Sequence, residues 1–172
     1  MRLLLLAALA LVAFAANSLL NRAAFTEAEM GAAGFTAIRM ASGAAMLALL
    51  VGLRGQGRAL AGAGSWASAG ALLLYAVAFS YAYLSLDAGL GALILFGGVQ
   101  ITMFGGALIA GQKPSVWRWV GSALGLAGLA LLFLPGADVG AAGPSGIGLM
   151  LLAALGWGIY SLRGAAAADP LL

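Results

Sequence analysis

One arginine lies within an otherwise apolar stretch and is the first candidate for chemistry in this sequence. Arg39 stands in GFTAIRMASGAAMLALL, about eight residues into an apolar run that begins at residue 32. An arginine near the centre of a bilayer costs about 2.5 to 3.5 kcal/mol on insertion scales, so it normally faces a bundle interior or a watery cavity. Arg39 is therefore a candidate to attract an anionic group of a substrate. The structural alternative, which the sequence alone favours, is hydrogen bonding to helix carbonyls or reach towards the outer headgroups.

Other polar and aromatic side chains in apolar runs could line a pathway beside Arg39. Gln100 has Phe96 and Phe104 one helical turn to either side, a stripe suited equally to a cavity wall or to a helix-packing seam. Tyr75 and Phe79 repeat at a four-residue spacing and share one helix face. The predicted pathway residues are Asn17, Arg39, Tyr75, Phe79, Phe96, Gln100 and Trp157.

Enzymatic chemistry has few side chains available here. The sequence contains no histidine and no cysteine, and none of its five acidic residues lies within an apolar run. We therefore expect no enzyme, no cofactor and no metal site, because general acid–base, nucleophilic and metal catalysis each need such groups. The absence of an intramembrane carboxylate also favours uniport or facilitated exchange over proton coupling. The eight basic residues are scattered between apolar runs and form no stripe that would bind nucleic acid.

The elements that position these residues are apolar segments of membrane-spanning length. Hydrophobic residues make up 64% of the 172 positions and charged residues only 8%, whereas soluble domains are about 25% charged. Because a bilayer core needs about 20 apolar residues per helix, the sequence predicts an all-α polytopic membrane protein with about six spans. These spans are Leu3–Leu20, Ala32–Leu53, Trp66–Leu86, Ala88–Ala110, Val116–Leu134 and Gly146–Leu162.

The charges between the segments predict an orientation. With the N-terminus in the cytoplasm, six basic residues fall inside and only Arg22 falls outside, as the positive-inside rule favours. The first segment also matches a secretory signal peptide, with Ala13–Ala15 as a cleavage site. Retention as a span is favoured, since a cleaved leader would place residues such as Arg54 and Lys113 on the wrong side. We expect a multi-pass protein of the inner membrane.

Glycines in the fourth and fifth segments predict close helix contacts. Small residues spaced four apart let membrane helices approach each other, and Gly121 and Gly125 form such a GxxxG pair. Gating flexibility is the alternative role. The predicted packing glycines are Gly97, Gly98, Gly105, Gly106, Gly121 and Gly125.

The last segment resembles the first. At an offset of 143 residues, Leu151–Leu162 aligns with Ala8–Leu19, and Trp157 falls on Phe14. Such identities also arise by chance in a Leu/Ala-rich chain. Five spans separate the starts of the two segments, so the second copy would have the opposite orientation. Inverted repeats of this kind are common in secondary transporters.

The sequence resembles the EamA-type family of the drug/metabolite transporter superfamily. The resemblance rests on FAANSLLNR, FTAIRMASGA, AVAFSYAYLSLDAGLGALILFGGVQ, GQKPSVWRWVGSALGLAGLALLFLPG and GWGIYSLRG. It implies ten helices in two inverted five-helix repeats around a central cavity. On that basis residues 1–135 would form the first repeat, 136–145 an outer loop and 146–172 the first helix of an incomplete second repeat. Gly111-Gln112-Lys113 departs from the Gly-Glu-Arg-like turn of many members.

These observations predict transport of small metabolites, amino-acid-like compounds or drugs by alternating access, with efflux as the expected direction. The expected partners are the lipid bilayer, a small-molecule substrate, and a homodimer or partner chain that supplies the missing helices. The alternative is a truncated, non-transporting membrane fragment or an interaction subunit that needs another chain. Under either hypothesis, membrane insertion is the common expectation.

Overall fold

The computed structural model describes residues 2–26, 31–55, 65–133 and 143–166, and every regular element in these ranges is an α-helix. The all-helical prediction is therefore confirmed for this part of the chain. The helices are α1 Arg2–Thr26, α2 Ala32–Leu53, α3 Trp66–Ala82, α4 Ala88–Ile109, α5 Val116–Phe133 and α6 Pro144–Ala165.

Each predicted apolar segment coincides with one of these helices. The predicted and observed limits differ where residues at the helix ends, rather than hydropathy, determine where the helix starts or stops. Pro144 starts α6 two residues before the predicted position, because proline's fixed φ suits the first helical turn. Arg163 lies in the last turn of α6, where a cation is favoured by the helix dipole. In contrast, α3 ends at Ala82 rather than Leu86, and the chain turns before α4. Most of the predicted outer loop 136–145 lies outside the described residues.

Three of the described helices are long and apolar enough to cross a membrane, namely α2, α4 and α6. The other three contain shorter apolar stretches, at Leu4–Phe14, Trp66–Ala82 and Val116–Leu131. Large hydrophobic side chains remain exposed along the helices, including Leu4 at 73% and Leu131 at 78%. This surface is typical of a helical membrane protein, since lipid tails solvate such side chains as well as a protein core does.

Helix α6 lies at the centre of the described bundle and runs antiparallel to α3. The start of α6 meets the end of α3, where Gly146 lies against Leu86. The other end of α6 meets the start of α3, where the Arg163 guanidinium donates to the hydroxyls of Ser65 and Ser68 at 2.8 and 3.0 Å. Between these ends, Met150, Ala153 and Ala154 of α6 are buried. The core of the molecule therefore follows the α3–α6 contact.

Helices α4 and α6 run parallel and meet through small residues. An added Cβ at Gly98 would lie 2.7 Å from the Cβ of Ala154, and one at Gly158 would lie 2.7 Å from the Cβ of Thr102. The third contact, one turn further on, brings Gly106 against Leu162. The three contacts recur at four-residue steps on both helices, as expected for small-residue packing in a membrane.

The predicted packing glycines differ in what surrounds them. Beyond Gly98 and Gly106, a Cβ on Gly97 would meet Leu126 at an ordinary 3.6 Å. At Gly125 it would meet the Gln100 amide at a tighter 3.4 Å. No atom of the described neighbours comes within 4 Å at the two others, Gly105 and Gly121. The GxxxG pair thus makes one close contact instead of two.

Asp87 fixes the start of α4, and its loss is expected to weaken the turn between α3 and α4. Its carboxylate accepts a hydrogen bond from the Leu90 amide at 2.8 Å, a side-chain N-cap. Asp87→Ala should lower the free energy of unfolding by about 1 kcal/mol, because one of the first amides of α4 loses its acceptor. Asp87→Asn keeps an acceptor and should remain near the wild type. Equilibrium unfolding in mixed SDS and dodecyl maltoside micelles would measure both; equal losses would contradict the capping role.

Candidate functional site

Arg39 is held by the aromatic face of α3. Its Nη2 donates a hydrogen bond to the Tyr75 hydroxyl at 2.7 Å. The guanidinium carbon lies 5.1 Å from the centre of the Phe79 ring and 5.2 Å from that of Tyr75. Both rings are within the range at which a cation is attracted to an aromatic face. The contact exists because Tyr75 and Phe79 are one turn apart on α3 and both face α2.

This geometry differs from the structural role favoured by the sequence alone. Among the described residues, the hydrogen-bond acceptor of Arg39 is a tyrosine hydroxyl on another helix rather than a helix carbonyl. Its Nη1 is buried, so the guanidinium does not extend into the outer headgroup region in this conformation. Arg39 is therefore half-buried between α2 and α3.

The positive charge of Arg39 is only partly compensated. Nη1 is buried and has no hydrogen-bond partner within the described part of the chain. Asp87 is the only acidic residue in the described ranges, and its carboxylate caps α4. A guanidinium offers five N–H donors, and a buried donor without an acceptor costs about 1 to 3 kcal/mol. The arrangement thus leaves a cationic donor ready for an acceptor from outside the described residues.

A continuous series of aromatic rings extends from the arginine through the middle of the bundle. The Tyr75 ring lies 5.4 Å from that of Trp157, whose ring is 5.8 Å from both Phe96 and Phe14. On the other side, the Phe79 ring is 5.5 Å from that of Tyr75. The Arg39 cluster is defined here as Phe14, Arg39, Tyr75, Phe79, Phe96 and Trp157. Of the six described helices, α5 contributes no residue to it and the other five each contribute at least one.

Five of the predicted pathway residues therefore meet in one cluster, while the sixth lies elsewhere. Gln100 donates to the backbone carbonyl of Ser122 on α5 at 2.7 Å. It lines a separate apolar groove of about 340 Å³ between α4 and α5, together with Trp119 and Leu126. The predicted stripe on α4 divides accordingly, since Phe96 faces the cluster and Phe104 packs on Trp119 at 4.4 Å. Asn17, the seventh, lies in α1, and its side chain is outside the described part.

Phe14 is the cluster residue that the sequence analysis did not select. A signal for it was present, because the repeat alignment places Trp157 on Phe14. In the structure these two aligned residues are in contact.

Chemically, the cluster offers groups that can bind an anion and an apolar body. It offers one fixed cation, one tyrosine hydroxyl already in use as an acceptor, and aromatic faces. No group of three or more His, Cys, Asp or Glu side chains that could hold a metal is found in the described ranges. Phe96 and Phe14 remain 36% and 46% exposed, so the far end of the ring series is accessible.

Comparison with known proteins identifies a relative in Pseudomonas aeruginosa. That protein, named "Uncharacterized protein PA1977", is 49% identical to this chain over 170 residues. The match covers 99% of this chain and 58% of that protein, so the chain spans little more than half the length of its relative. No protein-family model matches the chain, and neither does any solved structure. The 49% identity shows that the two proteins are related over almost all of this chain.

Proposed function

We propose that this chain is part of an inner-membrane transporter that moves small metabolites, amino-acid-like compounds or drugs by alternating access, in the direction of efflux. The observation that carries the proposal is the Arg39 cluster. Five helices contribute a partly uncompensated guanidinium and a series of aromatic rings, and Tyr75, Phe96 and Trp157 lie within the middle parts of their helices. Ionisable residues at membrane depth typically mark substrate pathways.

The helix directions support a six-span arrangement with a cytoplasmic N-terminus. If the helices cross the membrane alternately, α4 and α6 run in one direction and α3 runs in the other. The contacts between these helices agree with this, since α6 is parallel to α4 and antiparallel to α3. The exposed rings of Trp66 and Trp117 begin α3 and α5, which would start at the same face. Arg163 and Arg54 would lie at that face too. Tryptophan at the interface and arginine inside are the usual arrangement.

An inverted repeat would provide the means of alternating access. In secondary transporters, two inverted halves rock against each other around a site near the bilayer midplane. The Phe14–Trp157 contact supports a two-fold axis of this kind through the Arg39 cluster. The resemblance to EamA-type transporters belongs to the same proposal, in which residues 1–135 are one repeat and α6 opens the second. The greater length of the Pseudomonas aeruginosa relative is compatible with further helices beyond the matched region.

Cysteine labelling tests the proposal without a known substrate, because the natural chain contains no cysteine. We expect the thiol of the Phe96→Cys variant to react with a membrane-impermeant reagent from either side of oriented vesicles. Trp66→Cys and Leu84→Cys, at exposed positions near opposite ends of α3, serve as controls that each react from a single side. Reaction of Phe96→Cys from one side only would contradict alternating access. It would favour the non-transporting interaction subunit.

The same approach tests the orientation. The variants Arg54→Cys and Asp138→Cys should be labelled from opposite sides of the membrane, with position 54 in the cytoplasm. Labelling of both from the same side would exclude the six-span topology, since three crossings separate the two positions in that arrangement.

A further inference from the structure

In the Arg39 cluster, one buried hydrogen-bond donor has no acceptor among the described residues. This donor indicates which chemical group a ligand should offer. Nη1 of Arg39 is buried without an acceptor in the described residues, while Nη2 is already engaged by Tyr75. Carboxylates and phosphates match the planar fork of a guanidinium with two oxygens, and the hydrogen bonds are charge-assisted. Of the two, a carboxylate carries a single negative charge. The residue that would normally supply a carboxylate is missing from the described surroundings, since the one acidic side chain described caps α4.

The surroundings of the guanidinium define the rest of the ligand. The Tyr75 and Phe79 rings that hold Arg39 are themselves buried, at 9% and 5% exposure. Beyond Tyr75, the rings of Trp157 and Phe96 continue the apolar surface, and Phe96 is partly exposed. Aromatic rings prefer offset or edge-to-face contacts with other rings. A ligand whose carboxylate reaches Arg39 would therefore place an aromatic body against these side chains.

The charge balance selects among aromatic ligands. Arg39 is the one basic residue of the cluster. Arg54, Arg118 and Arg163 lie at helix ends and Lys113 in the turn between α4 and α5. A single cation neutralises one negative charge, so a dianion would keep one charge unpaired. A zwitterion would bring an ammonium group, for which the cluster as described provides no carboxylate. Burial of an unpaired charge is costly, and a monoanion avoids this cost.

We propose that the Arg39 cluster binds a small aromatic monocarboxylate, with the carboxylate on Arg39 and the ring against Trp157 and Phe96. The inference rests on the transport function proposed above and names the substrate class of that site. Because Nη1 is buried, the carboxylate reaches it when α2 moves away from α3, a displacement that is compatible with alternating access. The ligand then supplies the acceptor that Nη1 does not find among the described residues.

A series of probes with one ring and different charges tests the inference on the unmodified chain. Phenylacetate is an anion and phenethylamine is a cation. Phenylalanine is a zwitterion, and 2-phenylethanol is uncharged. Equilibrium dialysis against the purified full chain in detergent should show saturable binding of phenylacetate. Phenethylamine and 2-phenylethanol should bind about tenfold or more weakly, because neither offers a charged acceptor to the guanidinium. Phenylalanine should also bind about tenfold or more weakly, because its ammonium would be buried without a carboxylate partner. Equal or tighter binding of phenylalanine would overturn the inference, as would no saturable binding of phenylacetate.

Substitutions assign the binding to Arg39. Arg39→Gln should weaken phenylacetate binding by about tenfold or more, and Arg39→Lys should retain part of it because the charge remains without the fork. Arg54→Gln removes an exposed arginine at the other end of the same helix and should leave binding unchanged. Loss of binding in Arg54→Gln alone would overturn the assignment.

The two proposals can fail separately. If the Phe96→Cys variant is labelled from both sides and phenylacetate does not bind, the proposed substrate class is wrong and the proposal of alternating-access transport is retained. If phenylacetate binds through Arg39 and the Phe96→Cys thiol is reached from one side only, the site is supported and the transport proposal is wrong.

Discussion

Gly156→Ala is expected to be among the most destabilising single-methyl additions in the described part of the chain. A Cβ at this position would lie 2.7 Å from the Ala71 carbonyl oxygen and 2.8 Å from the Tyr75 amide nitrogen. Both are backbone atoms of α3, so no side-chain rotation relieves the overlap and α6 has to move away. Overpacking of this kind costs about 1 to 3 kcal/mol, and the rigid neighbours place this case at the upper end. The shift would also displace Tyr75 from Arg39.

Gly148→Ala is the matched control in the same helix. Its added Cβ meets no described atom within 4 Å. This substitution should be neutral, or stabilising by up to about 1 kcal/mol, because alanine favours the helix more than glycine does. Unfolding of both variants in mixed micelles, with phenylacetate binding as a second readout, provides the comparison. Similar stability of the two variants would show that α6 does not approach α3 as closely as described.

The difference between these two glycines shows what the sequence could and could not predict. Helix positions follow from apolar runs of bilayer length, which each segment carries within itself. The partner of each helix face depends on all the other helices, so Gly121 and Gly125 carried the familiar GxxxG pattern although α6 meets the α3 backbone at Gly156. A weaker local signal was present at Ala154 and Gly158, which are spaced four apart and meet α4.

The candidate site was predicted to a similar extent. Arg39 was identifiable because a charge in an apolar run is rare and needs a reason. Tyr75 and Phe79 followed from their spacing on one face. Gln100 satisfied the same criteria, yet its amide is bound to α5. The four-residue spacing gives a helix face but not the neighbour that it meets, and only the packed bundle determines that neighbour.

The combined variant Arg39→Met with Tyr75→Phe is expected to be at least as stable as the wild type while losing anion binding. We expect the pair to cost free energy in the unliganded state, because the half-buried guanidinium has one buried donor, Nη1, without an acceptor among the described residues. Replacement of buried charged groups by apolar residues of similar size is often neutral or stabilising by about 1 to 4 kcal/mol. Retained stability together with lost anion binding would show that Arg39 serves the ligand rather than the fold.

The single variants complete a double-mutant cycle. Arg39→Met alone removes the donor to the Tyr75 hydroxyl and should be less stable than the double variant, by about 1 to 3 kcal/mol if that hydroxyl stays buried without a partner. Thermal unfolding in detergent, with and without phenylacetate, measures each step. Phenylacetate should raise the wild-type unfolding temperature and leave the double variant unchanged. A double variant several kcal/mol less stable than the wild type would instead identify Arg39 as a structural residue.

The central position of α6 also determines when this fold can form. Ribosomes make α3 and α4 well before α6, yet both of those helices bury their small-residue faces against α6. Membrane helices insert individually and associate afterwards. The small-residue faces of α3 and α4 would therefore be exposed to lipid until α6 is inserted. The sixth helix would then enter late between them, and assembly of the whole bundle would depend on its arrival. A chaperone or insertase that shields α3 and α4 during this interval would have a physical reason to act.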